Sequence, residues 1–192
     1  MFIDKTMKLY PSGTIVDPCH IRVSEVHLSD IVHALSHINR FGGHTAFGWS
    51  VGQHSILVYE AFIALYRAQY QVAPAPAFCR AVILHDKTEI ILGDIVRGLK
   101  YSPLFEAYRT LENVTDATMD KALGLPARTG ELKVLCKTAD NLVVEREMIC
   151  LRQPKRAKAA KLLASTRYPN LFTMSAPQVT KALLTEYHRL WA

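Results

Sequence analysis

Along most of the chain, apolar positions recur at helical spacing, and each such stretch closes on glycine or proline. The start differs. MKLYPSGTIVDP holds two short extended pieces around Pro11-Ser12-Gly13, a turn by composition, and predicts a small hairpin capping a helical body. Ser29 then reads as an N-cap, with Asp30 in the first turn and Ile31, Ala34, Leu35 and Ile38 on one apolar stripe. That helix is expected to end near Arg40, where Gly42-Gly43 forbid continuation. RFGGHTAFGWS comes next, a loop of aromatics among glycines that either packs under a neighbour or lines a pocket. Ser50 opens VGQHSILVYEAFIALYRAQY, whose Val51, Ile56, Leu57, Phe62, Ile63 and Leu65 make it too apolar for an exposed helix.

Pro74 and Pro76 break the chain before the run Ala81, Val82, Ile83, Leu84, which leads into His85-Asp86. Glu89 lies four residues after His85 and three after Asp86, so in a continuous helix it shares their face. Gly93-Asp94 marks the passage to a loop. Ser102-Pro103 suits the cap and first position of a long helix through Leu123, which Gly124-Leu125-Pro126 stops. From about Thr129 to Leu151, Leu132, Leu135, Ala139, Leu142 and Val143 are expected to face inward. A less apolar helix is expected from Arg152 to Thr166. SAPQVTKALLTEYHRLWA closes the chain as an amphipathic helix docking through Val179, Leu183, Leu184, Tyr187 and Leu190. The expectation is an all-α fold with a minor β element, one domain over residues 1–192 without repeats or low-complexity segments.

Composition narrows the function classes. An apolar share of 49% is globular, and 23 Lys and Arg against 17 Asp and Glu give a net charge of +6. That excess favours anionic ligands such as nucleotides. The basic residues are too dispersed to predict stable nucleic-acid binding, and the densest cluster, Arg152 to Lys161, suits a solvated surface. Cys19, Cys79, Cys136 and Cys150 form no CxxC pair and no secretory signal opens the chain, which predicts reduced thiols and a cytoplasmic location. No apolar run reaches the roughly 18 residues of a membrane span, so no membrane partner is expected.

Three helical stretches each carry a polar group that is locally out of place. His54 sits in a core helix, His85-Asp86 ends an apolar run, and Asp140 interrupts an inward-facing pattern. Taken singly, each has an ordinary alternative: a satisfied core histidine, a charged helix end and a helix-surface acid. A buried carboxylate without a partner is expensive, and one cation would account for all four groups. Two imidazoles and two carboxylates offer mixed borderline and hard donors, which suit a divalent transition ion (Zn, Co or Mn) better than Ca or Mg alone.

The order H…HD…D resembles the HD-domain phosphohydrolase superfamily. DIVHALSHINRFGGHTAFGWSVGQHSILV, then VILHDKTEIILGDIVRGLK, then KTADNLVVERE is similar to its 5′-deoxynucleotidase-type branch, which includes phage enzymes that strip the triphosphate from dATP. The resemblance spans about residues 10–150. It implies an HD-domain helical bundle with a metal core over about 27–151 and further C-terminal helices over 152–192. It implies His54, His85, Asp86 and Asp140 as metal ligands, Glu89 as the acid beside the centre, and Asp94 near the sugar 3′-hydroxyl or the attacking water. Arg40 and Lys100 correspond to phosphate-holding positions, which Lys137 is placed to join, with Mg as a further ion for the substrate phosphates. Phe41 and Trp49 are aromatic candidates for stacking on a base, with core packing as the alternative.

The resemblance implies a metal-dependent deoxynucleotide phosphohydrolase forming a homo-oligomer, a dimer or a hexamer. A dNTP of the dATP type is the leading substrate class, with a dNMP 5′-nucleotidase as the alternative. A non-catalytic nucleotide-binding regulatory module is the reading from another class. One departure stands out: where such proteins read GDIxxPLK, this chain has Gly98 in place of the proline, which predicts a looser loop around Lys100. Ile90 stands where the HDxxED motif of alarmone hydrolases has its second acid, and the GYP signature of the cyclic-dinucleotide branch does not occur.

Overall fold

The turn residues near the start act as their composition suggests. In the computed structural model, which describes residues 7–151 and 156–191, β1 (Lys8–Leu9) pairs antiparallel with β2 (Ile15–Val16), Lys8 opposite Val16 and Leu9 opposite Ile15. Gly13 takes φ 87° in the turn between them. The hairpin is tied down at two points. Asp30 accepts the Ser12 amide at 3.0 Å and its hydroxyl at 2.6 Å, and the Lys8 ammonium donates to the carbonyls of Ile90 and Ile91.

The remaining elements are helical. They are α1 (Leu28–His37), α2 (Val51–Tyr70), α3 (Pro76–Ile83), the single turns α4 (Glu89–Leu92) and α5 (Arg97–Lys100), α6 (Glu106–Ala122), α7 (Gly130–Leu151), α8 (Arg156–Leu162) and α9 (Ala176–Arg189). Short 3-10 turns precede α1, succeed it at Arg40–Gly43, and lead into α6 and α9. Several boundaries differ from expectation: the stretch opened by Ser102-Pro103 begins as a 3-10 turn over Pro103–Phe105, and α6 proper starts at Glu106. α1 starts at Leu28 with His27 as its cap, the His27 carbonyl accepting the Asp30 and Ile31 amides at 3.1 and 3.2 Å, and it ends at His37. The helix expected from Arg152 begins on residues 152–155, which lie outside the described residues; α8 runs from Arg156.

α2 is the central element, packed against α7, α3, α1 and α9. Its start is fixed by the expected Ser50 cap: the Gln53 amide donates to Ser50 Oγ at 3.1 Å and the Ser50 amide to Gln53 Oε1 at 2.8 Å. The Gln53 side-chain amide also donates to the Leu171 carbonyl at 2.7 Å, tying the cap to the C-terminal region. α9 crosses here so closely that a Cβ on Gly52 would lie 2.9 Å from Val179 Cγ1, 3.1 Å from Leu183 Cδ1 and 3.2 Å from the Leu35 carbonyl. Gly52→Ala is therefore expected to lower stability by about 1–3 kcal/mol, the range for overpacking a core, as a fall in the urea midpoint at unchanged slope.

The apolar patterns largely find the core. Leu132, Leu135, Ala139 and Val143 of α7 are buried, as are Val179, Leu183, Tyr187 and Leu190 in the C-terminal region. Leu142 is a correction to the expected inward face: it is 45% exposed. All four cysteines are free thiols, with Cys19 exposed and the others buried. Among the described residues, no helix is long and apolar enough to cross a membrane.

Candidate metal centre

Three parts of the fold deliver polar groups to one buried point. α2 brings His54, just inside its capped start. The second contribution departs from the expected continuous helix. α3 ends at Ile83, and residues 84–88 form a tight turn in which His85, Lys87 and Glu89 donate their amides to Val82, Leu84 and Asp86 at 3.1, 3.1 and 3.0 Å. These bonds reach back three residues instead of four, so the chain winds more tightly between His85 and Glu89 than an α-helix would.

Lys87 shows why the turn holds. Its side chain is fully buried and its ammonium lies 2.5 Å from Asp116 and 2.6 Å from Asp120, both on α6. Arg128 grips the same Asp116 with bonds of 2.7 and 2.9 Å. The segment carrying His85 and Asp86 is thus anchored to α6 by a buried ionic network. α7 supplies the third part, Asp140 and, two turns on, Glu147.

Both imidazoles are oriented by their Nδ1 atoms. His54 pairs through Nδ1 with Glu147 Oε1 at 2.9 Å, and His85 through Nδ1 with the Val82 carbonyl at 3.0 Å. Each bond fixes its ring through Nδ1 and turns Nε2 towards the same space, the arrangement typical of metal-ligating histidines. His54 Nε2 lies 3.3 Å from Asp140 Oδ1 and 3.7 Å from Asp86 Oδ2, and His85 Nε2 lies 3.2 Å from Asp86 Oδ2. Neither Nε2 has a hydrogen-bond partner although both are buried. Ligand atoms of His54, His85 and Asp140 all fall within 4.8 Å of one another. Unsatisfied buried nitrogens facing carboxylate oxygens at these separations fit a metal ion, so the His/Asp cluster can hold one.

The electrostatics are those of a cation site. Burial opposes ionisation of Asp86, but His85, His54 and Arg40 outweigh it and hold the carboxyl well below its ordinary range. Burial likewise opposes charge on Asp140 and Glu147. In Asp140 the two histidines and Lys137 overcome it, and in Glu147 His54 and Arg40 do, so both carboxyls stay ionised. Glu89 behaves oppositely: burial and the charges of Asp86 and Asp94 push its carboxyl well above its ordinary range.

Around this point the structure assembles most of the residues expected from the sequence. Glu89 and Asp94 line a cavity of about 330 Å³ with Arg40, Phe41, Lys100, Lys137, Asp86 and Asp140. Asp94 accepts the Phe41 amide at 2.9 Å, which fixes Phe41 in the left-handed region at φ 56°. Arg40 is buried and committed, its Nε donating to Glu147 at 3.2 Å and its guanidinium 3.6 Å from Asp86. Lys100 is ion-paired to Glu112, and Lys137 to Asp140 at 2.5 Å. Trp49 takes the core alternative and not the stacking one: it is 1% exposed, its ring lies against Phe172, and its indole N–H donates to Glu147 at 2.6 Å. The glycine-aromatic loop therefore divides, Phe41 lining a cavity and Phe47 and Trp49 packing on Phe172.

Two residues escape sequence reasoning. Glu147 gathers His54, Trp49 and Arg40 on one fully buried carboxylate, yet in KTADNLVVERE it looks like an ordinary helix-surface acid. The signal that could find it is its spacing of seven from Asp140, which keeps both on one side of α7. Arg97, at the rim, reaches Asp140 at 3.4 Å and Asn141 at 3.1 Å, and its place at the start of the single turn α5 gives no such signal.

No family model matches the chain. It is similar to a Rhodobacter capsulatus protein, RCAP_rcc00048, at 29% identity over 139 residues, which covers 71% of this chain and 68% of that protein. It is also similar to YfdR of Escherichia coli K12, at 32% identity over 106 residues, covering 55% of this chain and about half (52%) of YfdR. Both relatives are described as uncharacterized.

Proposed function

We propose that this chain is a metal-dependent phosphohydrolase of the HD-domain type acting on deoxynucleotides, with a dNTP of the dATP class as its leading substrate. The observation that carries the reading is the convergence of two unpartnered histidine Nε2 atoms on the carboxylates of Asp86 and Asp140 in a buried centre flanked by cavities. His54, His85, Asp86 and Asp140 would hold the ion. A divalent transition ion supplies positive charge for a phosphoryl oxygen and lowers the pKa of water towards about 7.

The rest belongs to the chain's own side chains. Hydrolysis breaks one P–O bond to the nucleoside, forms one to a water oxygen, and moves a proton from water to the departing oxygen. Glu89, whose Oε2 is buried without a partner, holds a proton beside the cluster, and Asp94 is fixed next to it by the Phe41 amide. Arg40 orients Asp86 and Glu147, so its part is to set the ligands more than to meet solvent-borne phosphate.

Room for a polyphosphate supports the dNTP over the dNMP. Two cavities meet at the centre and share Asp86, Lys100, Tyr101, Lys137 and Asp140. The one of about 330 Å³ carries apolar walls at Phe41, Ile95, Val96, Val144 and Met148, suited to a base and sugar. The other, of about 310 Å³, adds Lys133 and Arg128 to the shared lysines; Asp116 and Glu112 also line it and hold Arg128 and Lys100, so Lys133 is the added cation left for a phosphate chain.

The test is metal analysis of the purified protein, then product release from dNMP and dNTP panels with Zn, Co, Mn and Mg. Release of nucleoside from dNTPs is the expected result. Turnover of dNMPs alone would replace this reading with the 5′-nucleotidase, and binding without turnover would make the protein a regulatory module. Within the reading, Glu89→Ala is expected to cost about 10²-fold or more in kcat, the scale for a positioned acid or base, while metal content stays unchanged. Loss of the ion together with activity would make Glu89 a ligand.

A further inference from the structure

A cavity of about 510 Å³ lies away from the His/Asp centre. Its walls are the second half of α2 (Tyr59, Glu60, Ile63, Arg67), the entry to α3 (Pro74, Pro76, Cys79), the loop at Thr166-Arg167 and the end of α9 at Arg189-Leu190. The volume is that of a small-molecule site.

Its polar groups are arranged for an anion. Arg167 and Arg189 are brought to opposite oxygens of one carboxylate: Arg167 Nε donates to Glu186 Oε1 and Arg189 Nη2 to Glu186 Oε2, each at 2.8 Å. Glu186 lies beneath them with its side chain 1% exposed, so it fixes the two forks without facing the cavity. Arg189 Nη2 also donates to the Tyr59 hydroxyl at 2.9 Å. Arg189 Nη1 and both Nη atoms of Arg167 have no hydrogen-bond partner among the described residues, and Arg67 forms no ion pair among them.

Glu60 is the lining carboxylate, and its charge is already answered. It accepts the Ser165 hydroxyl at 2.7 Å and the Thr166 and Arg167 amides at 3.0 and 3.1 Å. What remains towards the cavity is three guanidiniums over a floor of Ile63, Ala64, Pro74 and Pro76. Preorganised guanidinium forks match phosphate oxygens, and several of them on one small cavity favour a doubly charged group over a single carboxylate.

We infer that this cavity is a second ligand site, taking a phosphate-bearing small molecule independently of the metal centre. The site would sit on the elements that position that centre. Arg67 is thirteen residues beyond His54 on α2, about 20 Å along the helix. α3, whose first residues line the cavity, leads directly into His85-Asp86.

The test uses inorganic pyrophosphate as probe, titrated calorimetrically into the purified protein. Arg67→Glu is compared with Lys158→Glu, an exposed residue of α8 that lies outside the cavity. The two variants change net charge equally, and neither removes a side-chain hydrogen bond or ion pair among the described residues. The expected result is saturable binding weakened at least about ten-fold in Arg67→Glu and little changed in Lys158→Glu, the loss of charge-assisted bonds at one point. Equal weakening in both variants would mean that only overall charge is felt, and would overturn the site, as would saturable binding unchanged by Arg67→Glu or no saturable binding at all. Metal content and nucleotide turnover of Arg67→Glu report separately on the centre, so failure here leaves the phosphohydrolase reading standing.

Discussion

His85→Ala and Asp86→Ala are each expected, on the proposed phosphohydrolase reading, to abolish metal binding and with it all measurable release of nucleoside. His85 Nε2 and Asp86 Oδ2 lie 3.2 Å apart, with His54, Asp140 and Arg40 as the polar groups around the pair. Taking away either donor leaves at most three protein ligands. Removal of Asp86 also takes away a negative charge that offsets Arg40 and the two histidines. The loss should show as metal content near zero after desalting and as absence of product, while circular dichroism keeps the helical signature. The folded state should survive, because the turn at residues 84–88 is held by Lys87 through Asp116 and Asp120 and not by the ligands themselves. Retained activity with a full metal complement in either variant would sink the ligand assignment.

The sequence is most informative where local chemistry and pattern agree. The Ser50 cap, the stop at Gly124 and the burial of His54 each come from short-range rules, and the structure bears them out. What pattern alone misses depends on contacts far apart in the chain. Leu142 matches the apolar period of α7, but that helix has a solvent side wide enough to carry Leu142, Val134 and Ile149. The His85–Glu89 turn reads as helix because every residue in it tolerates helix. It tightens because Lys87 must reach two aspartates on α6, some thirty residues away. Trp49 is ambiguous for the same reason. An aromatic among glycines serves a pocket or a core equally well until its partner is known, and that partner is a carboxylate 98 residues further on.

That carboxylate gives the other large expected effect. Glu147→Ala should destabilise the fold by about 3–5 kcal/mol, the scale for breaking a buried ionic network by deleting one partner. Three donors would lose their acceptor together: His54 Nδ1, Trp49 Nε1 and Arg40 Nε, at 2.9, 2.6 and 3.2 Å. Arg40 is the most costly of them to strand, since the guanidinium is buried and its remaining neighbour is Asp86 at 3.6 Å. Glu147→Gln separates stability from function. The amide keeps the shape and one acceptor oxygen but removes the charge that balances His54 and Arg40, so it stabilises the Nδ1 proton of His54 less. Metal affinity should then fall about 10–100-fold, the usual consequence of losing a partner behind a ligand, with a much smaller drop in stability than the alanine variant shows. Chelator competition on the two variants, alongside urea unfolding of each metal-free protein, measures both quantities. If Glu147→Gln binds metal as tightly as the unchanged chain, Glu147 is a core acid that happens to touch His54. Its role in orienting the ligand would then fall, while its role in the fold would remain.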